Sequence, residues 1–449
     1  MTIAERLAGY AAEFSIDEMP SRAVEAARAH FADTVGCILA GASSDTAAKA
    51  AAYAGNSNGG HPESSVLGTG GMRCKAAFAA LANAAAAHCR DYDDMSISLN
   101  GHASAVLVPV ALAMGERHHI SGKGVLEAYM LGAEIDALLG KLLTGSTYSK
   151  AWNTTCTIGA AGAAAAACKL MGASEEEYVH AMGLAASSSG CVKENYGTAA
   201  KDISVGLTAF LGIFSAEMAG CGISANPRIF EGVNGVFAAA GVQSPHDIVR
   251  ILEQHTSDFL EPGMVLKPYP TCRGNHNALD CFQQLVQTHA LRPSDIEKVV
   301  CKVQQTALDT DKYPWPQTRE QAKFSIRYCL GRMIYAGRLS SADFAGSGAL
   351  DPYAVEFMGK IDVLPGDGFA EARFGAKVEI QTANGKRLTA RSSFAAGDPM
   401  NPMCNSVLES KIRDCLSVKY EAEKSGQVLA ALRDLCMLQD ICELTEQLA

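Results

Sequence analysis

Along residues 1–266 the apolar positions recur almost throughout at helical spacing. Between residues 20 and 40, Val24, Ala27, Phe31, Val35 and Ile38 fall on one face. Pro20 suits the first turn and Gly41 ends the run. Residues 73–90 read as an Ala-rich helix, 103–117 as a second with Pro109 early in it, and 121–143 as a third opened at Ser121–Gly122. Ser174-Glu175-Glu176-Glu177 matches a capping box for a helix over 174–189, and Lys201 opens another over 202–220. After residue 290 the period changes. Val299, Cys301 and Val303 alternate with Lys298 and Lys302 as a strand, residues 318–337 return to helix, and 374–393 form a hairpin turning at Asn384-Gly385. Residues 406–449 are helical again. The expected fold is mainly α: an all-helical domain over 1–266, a smaller α+β domain over 267–396, and C-terminal helices over 397–449 returning to the helical domain.

Composition narrows the class of function. Of 449 residues, 48% are hydrophobic and 19% charged, which fits a folded chain of two or three domains. A net charge of −10 argues against a nucleic-acid or anionic-membrane surface, while leaving room for a locally basic pocket that takes a small anion. Fifteen cysteines occur without any CxxC pair, so zinc-site spacing is absent and free thiols in a reducing compartment are expected. The first residues, with Glu5, Arg6 and Glu13, do not read as a signal peptide. The apolar run Ile158–Cys168 is too short to span a bilayer. A cytoplasmic protein is the expectation.

The chemistry concentrates in a few segments. Asp91–Pro109, DYDDMSISLNGHASAVLVP, puts Asp91, Asp93, Asp94 and His102 between two helices, which is material for acid/base work or, more plainly, for helix capping. His88, on the last turn before it, reads as facing the helix C-terminus. Tyr148–Asn153 is a polar-aromatic loop before Thr154, Thr155 and Thr157, a helix start that caps itself or presents N–H groups to a carboxylate. Lys201 opposes the dipole of the helix it opens. Leu266–Asp280, LKPYPTCRGNHNALD, crowds Lys267, Cys272, Arg273 and His276 into a Pro-stiffened stretch; a nucleophilic Cys272–His276 pair is one reading of it. His61 reads as solvated, His118 and His119 as surface, and Asp33 and Thr34 as buried and hydrogen-bonded.

Four of these segments together resemble the signatures of the MmgE/PrpD family. DYDDMSISLNGHASAVLVP is similar to DFDDTx…GHPSAxxxP, GTAAKDISVG to GTxxKxLHxG, LKPYPTCRGNHNALD to KxYPxCxxxH, and QAKFSIRYC to xxKFSxxYC, in the same order along the chain. The resemblance implies a helical domain and a smaller α+β lid, with the active site in the cleft between them. It also implies a homodimer, no metal or organic cofactor, and a small di- or tricarboxylate as substrate. The family's reactions move a proton at the carbon α to a carboxylate. Carried over by position, Asp91, His102, Lys201 and Tyr148 are the catalytic candidates, with Asp91 orienting His102. Lys267, Tyr328, Asn153, Cys272 and His276 are the substrate-binding candidates. The chain departs from the signatures at Met95 (usually threonine), at Asn153 and Ser204 (usually histidine), and at Cys272, which is histidine in the decarboxylase branch. The implied activity is a cofactor-independent lyase, a dehydratase or decarboxylase. The alternatives are an epimerase or racemase working with two bases, and a non-catalytic relative.

Overall fold

Helix starts follow the capping chemistry of the sequence. In the computed structural model, which describes residues 1–57, 61–143, 151–242, 247–261, 263–346, 348–369 and 373–449, Ser44, Ser121 and Ser174 each cap a helix with the side-chain oxygen. The reciprocal box at Ser174 and Glu177 is closed on both sides. Each such cap stabilises its helix by about 1 kcal/mol. The fold is mainly α. The helices Ser21–Gly41, Ala76–His88, Ala103–His118, Gly122–Leu142, Gly159–Met171 and Ala199–Gly220 pack against one another. Small side chains set their spacing. A Cβ on Gly212 would lie 2.4 Å from the Cβ of Ala163, and one on Gly132 would lie 2.9 Å from the Gly162 carbonyl. Helices this close leave no room for a methyl group at the crossing.

By length and composition, Ala199–Gly220 is the one helix among the described residues long and apolar enough to cross a membrane, and half of that stretch is buried inside the protein. Leu207 and Phe214 remain exposed on its outer face.

Two hydrophobic clusters organise the chain. The larger runs from Ile3 to Met264 and also takes in Leu408, Ile412, Val428, Leu432 and Leu444 from the C-terminal helices. There the Asn405–Leu416 helix lies on Ser21–Gly41, and Lys411 reaches Asp33 at 2.7 Å and the Tyr92 carbonyl at 2.8 Å. Asp33 is thus buried and paired, and the Thr34 hydroxyl donates to the His30 carbonyl. The smaller cluster runs from Tyr269 to Ala390. It contains a four-stranded sheet in the order Ile361–Pro365, Ile296–Val303, Ala376–Thr382, Arg387–Ser392. The first two strands are parallel and the others antiparallel, with the hairpin turning at Gly385 (φ 80°). The His276–Thr288 helix packs on the hairpin strands.

Two features differ from expectation. The 318–337 helix is split into Arg319–Ala322 and Ile326–Ala336. Ser325 leaves helical geometry (φ −126°) and caps the second piece, and the Ile326 N–H donates to the Asp311 carboxylate at 2.8 Å. A side-chain cap and a carboxylate at the positive helix end favour the fresh start. The break frees Lys323 and Phe324 to turn toward the helical part, where Lys323 Nζ donates to the Cys89 carbonyl at 2.6 Å. The second feature is a two-residue ladder in which Met95–Ser96 pairs with Met264–Val265. It ties the acidic loop to the Lys267 segment.

Candidate active site

Residues 88–102 fold back on themselves. Asp91 takes a left-handed conformation (φ 51°), and its N–H donates to the His88 carbonyl at 2.9 Å. Aspartate tolerates this region better than most residues, at a modest local cost. The turn points three buried carboxylates in different directions. Each has its own partners.

Asp91 meets two lysines. Lys267 Nζ donates to both its Oδ1 and its carbonyl at 2.9 Å, and Lys201 Nζ lies 3.5 Å from Oδ1. Burial alone pushes the Asp91 carboxyl up, but Lys201 and Lys267 together outweigh it and hold the group well below the usual carboxylate range. Lys201 sits in the first turn of its helix, against the faces of Tyr196 and Phe324 at 5.4 and 5.3 Å. Burial pulls the Lys201 ammonium down, and Asp91 and Asp202 outweigh it, so the charged form is favoured. Asp202, beside it, is pushed up to about 7 by burial against the pull of Lys323 and Lys201.

Asp93 meets two imidazoles. His88 Nδ1 donates to its Oδ2 at 2.8 Å, and His102 Nδ1 lies 3.1 Å from the same oxygen and 2.7 Å from the Asp94 carbonyl. The two rings stand edge to face, with centroids 4.7 Å apart. Burial raises the Asp93 carboxyl, but His88 and His102 outweigh it and hold it well below the usual range. Burial pushes the His88 imidazole down to about 4 against the pull of Asp93. His88 is therefore a neutral ring that donates through Nδ1, rather than a cation at a helix end. Asp94 pairs deeper still, with His30 at 2.6 Å and the Ser104 hydroxyl at 2.5 Å.

His102 is held from both sides. Its N–H donates to the Thr155 hydroxyl at 3.0 Å, and Gly101 packs so closely that a Cβ there would lie 2.8 Å from that hydroxyl. The expectation that Asp91 orients His102 is corrected. Asp93 and the Asp94 carbonyl engage its Nδ1, because the left-handed turn gives Asp91 to the lysines. His102 keeps 16% of its side chain exposed, while the side chains of Asp91, Lys201 and Lys267 are nearly closed off.

The remaining candidates fall at different distances from this cluster. Cys272 is close enough for the Asp91 charge to add to burial in pushing its thiol up, with Lys267 opposing. Its N–H donates to the Lys323 carbonyl. His276 is fully buried, with Nε2 3.2 Å from the Thr271 carbonyl, and burial followed by Arg273 and Lys267 drives it well below the ordinary histidine value. The Cys272–His276 pair therefore joins a raised thiol to a suppressed base, the wrong combination for an activated nucleophile. Asn153 starts the short helix Thr154–Thr157, and its amide donates to the Cys156 sulfur at 3.5 Å. Tyr328 lies apart, in the second cluster, where its hydroxyl accepts the Asp351 N–H at 3.3 Å. Tyr148 lies outside the described residues.

Three participants were missed as such in the sequence: Asp93 as the residue that orients His102, His88 as its second ligand, and Lys323. The first two carried a signal, a carboxylate five residues after a helix-terminal histidine. Lys323 lies inside the QAKFSIRYC segment.

The atoms of His88, Asp93 and His102 lie within 4.8 Å of one another, close enough to hold a metal ion. As they stand, Asp93 Oδ2 takes up the Nδ1 atoms of both rings, which makes a hydrogen-bonded triad. Among the described residues, Asp91 Oδ2, Asp93 Oδ1 and His88 Nε2 are buried polar atoms without a protein partner. A cavity of about 900 Å³ lies beside this cluster without including it. It reaches the ladder residues Met95 and Val265 and is lined by Lys141, Arg273 and Arg373. The chemistry of the buried groups, rather than the volume of a cavity, makes this cluster the candidate site.

Similar proteins agree on the family. The cis-aconitate decarboxylase of Homo sapiens is 23% identical over 96% of this chain and 91% of its own length. That of Mus musculus is 23% identical over 100% and 93%. The cis-aconitate decarboxylase of Aspergillus terreus is 25% identical over 63% of this chain and 60% of its own. The model of the MmgE/PrpD N-terminal domain matches residues 5–248, and that of the MmgE/PrpD C-terminal domain matches 269–435. The chain belongs to the MmgE/PrpD family.

Proposed function

We propose that this protein is a lyase, a decarboxylase or dehydratase, that moves a proton at the carbon α to a carboxylate of a small di- or tricarboxylic acid, with no metal or organic cofactor. The observation that carries the reading is the pairing of two buried lysines on Asp91 with a separately oriented imidazole at His102. Lys201 and Lys267 supply positive charge for a substrate carboxylate and for the charge that develops on it. With Nδ1 engaged by Asp93 and the Asp94 carbonyl, His102 offers Nε2 for proton transfer. Asp91, His102 and Lys201 come from the helical part, and Cys272 and Lys323 from the α+β part. The substrate would bind in the cleft between them. Cis-aconitate is the first substrate to test, given the names of the relatives.

The test is proton NMR of the full-length protein with cis-aconitate and a panel of di- and tricarboxylates. Release of carbon dioxide or water, lost in Lys201→Ala with its melting curve unchanged, supports the lyase. Deuterium wash-in without net product would replace it with the epimerase reading. Binding without turnover across the panel would leave a non-catalytic relative.

The protein is also proposed to be a homodimer through its helical part. Tyr53, Leu207 and Phe214 are exposed, and Tyr53, Phe78, Phe210 and Phe214 form a run of rings 5.2–6.2 Å apart. A surface apolar strip of this kind is the usual mark of a contact. Light scattering should give a dimer that Leu207→Glu dissociates; a wild-type monomer at micromolar concentration removes the proposal.

A further inference from the structure

Two stretches far apart in the chain meet at the end of the Ala103–His118 helix. The Gly122 N–H donates to the Leu438 carbonyl at 3.0 Å, and the Ile441 N–H donates to the Ile120 carbonyl at 2.9 Å. A Cβ on Gly122 would lie 1.9 Å from the Leu435 carbonyl oxygen, so the two main chains run in contact. Ile441 is fully buried between them. This clamp fixes the place of three side chains on its rim: His119, Asp440 and Cys442.

Their donor atoms gather at one point. His119 Nδ1 lies 2.8 Å from Asp440 Oδ2 and 3.8 Å from Cys442 Sγ, and the three atoms are all within 4.8 Å of one another. His119 stops its helix in the left-handed region (φ 52°), where glycine or asparagine is the usual occupant. The other oxygen of Asp440, Oδ1, accepts the Cys442 N–H at 2.9 Å, which orients the carboxylate and leaves Oδ2 for the cluster. The cluster opens to solvent through the exposed His119, while Asp440 and Cys442 are half-buried.

We propose that His119, Asp440 and Cys442 form a zinc-binding site that fastens the C-terminal helix Cys442–Leu448 to the end of the Ala103–His118 helix. An imidazole nitrogen, a carboxylate oxygen and a thiolate sulfur are zinc's three ligand types, at about 2.0–2.3 Å from the ion. Around a tetrahedral ion those lengths put the nitrogen about 3.5 Å from the sulfur and about 3.3 Å from the oxygen. The observed 3.8 Å and 2.8 Å lie within about half an ångström of both, so side-chain adjustment suffices and the clamp stays as it is. Water takes the fourth position. A mixed nitrogen, oxygen and sulfur set favours zinc over magnesium or calcium, which take oxygen ligands.

The thiol gives up its proton to the exchange. Burial pushes Cys442 up to about 12, Asp440 and Glu116 add to it, and Arg73 opposes. The negative charge that retains the proton is what a divalent cation neutralises. The S–H bond breaks, the Zn–S bond forms, and the proton passes to solvent.

The site stands apart from the candidate active site and does not rest on the lyase reading. His102 precedes the 16-residue helix and His119 follows it, about 24 Å apart along its axis. A zinc ion here takes no part in proton transfer at His102. The sequence conceals the site because His119 and Asp440 are 321 residues apart, so no short spacing announces the ligands.

The experiment uses the full-length protein, stripped with a chelator and then titrated with zinc by calorimetry and with cobalt(II) by absorption. The expected result is a zinc equivalent that raises the melting temperature, and a thiolate-to-cobalt charge-transfer band. Zinc should also protect Cys442 from alkylation in a peptide map, while the exposed Cys221 and Cys404 stay reactive. Cys442→Ser should abolish the band, and Cys404→Ser should leave it. His119→Gln and Asp440→Asn should each weaken zinc binding by more than about tenfold, since removing even a hydrogen-bonded supporting partner of a ligand costs about 10- to 100-fold. If a variant melts early, the wild-type band and alkylation map decide. The His88–Asp93–His102 triad has no sulfur, so cobalt bound there lacks the band. Absence of the band, its survival in Cys442→Ser, or zinc protection of Cys221 or Cys404 in place of Cys442 overturns the proposal.

Discussion

Asp93→Asn isolates the residue that orients the imidazole. Asp93 Oδ2 lies 3.1 Å from His102 Nδ1, with the Asp93 side chain fully buried. A unit charge pair at that separation is worth about 5 kcal/mol at an effective dielectric constant of about 20. Half a charge developing on His102 in the transition state makes the carboxylate worth about 2.5 kcal/mol, or roughly 70-fold in rate. Asparagine keeps the shape and can still accept one hydrogen bond, so geometry is largely retained while charge is lost. The expected result is a fall in kcat of about 10- to 1,000-fold with KM within about threefold, the pattern of an interaction made mainly in the transition state. The assay is steady-state turnover of the carboxylate identified by the NMR panel, with circular dichroism melts to verify folding. Asp91→Asn is the comparison. It leaves Lys201 and Lys267 buried without their shared counter-charge, and should raise KM and lower the melting temperature as well. An Asp93→Asn variant with kcat within about threefold of wild type would refute the assignment of Asp93 as the orienting group.

Three further outcomes are expected. Asp202 is raised to about 7 by burial from an ordinary value of 3.8, so its contribution to stability is present below about pH 4 and lost as pH rises toward 7. Relative to wild type, Asp202→Asn should gain up to about 4 kcal/mol across that window in urea titrations at pH 4.5, 6 and 8; a pH-independent difference counts against it. Gly101→Ala drives a methyl group into the Thr155 hydroxyl and N–H, which should cost about 1–3 kcal/mol of stability and lower kcat more than it raises KM. Lys411→Met strands the buried Asp33 carboxylate and should cost about 3–5 kcal/mol, while adding Asp33→Leu should recover most of it, as read by urea midpoints.

The helices were legible because their apolar spacing, caps and terminal glycines agree with one another. Lys267, Lys201 and His102 were legible because their surrounding motifs are long. Which carboxylate serves which cation was not legible. DYDD offers three equivalent side chains, and the division among lysines, imidazoles and Ser104 depends on the left-handed turn at Asp91 and on a ladder formed with residues 264–265. Local pattern carries neither. The break at Ser325 was hidden for the same reason, since Asp311, fourteen residues earlier, supplies the partner for the new helix start. The parallel strand Ile361–Pro365 is short and ends in proline at the sheet edge, where a strand makes little demand on its sequence.

The ladder between Met95–Ser96 and Met264–Val265 has a consequence for the birth of the protein. The acidic loop leaves the ribosome long before Lys267, which lies 176 residues downstream of Asp91. At about 5–20 residues per second, that interval is about 9 to 35 s. During it Asp91 has no Lys267 and the loop has no ladder, whereas the partners of Asp93 and Asp94 (His30, His88, His102 and Ser104) precede them or follow within about ten residues. The helix that carries Asp33 waits longer, because Lys411 follows 378 residues later. The imidazole side of the candidate site can therefore close early in synthesis, while its lysine side and the burial of Asp33 wait for Lys267 and Lys411.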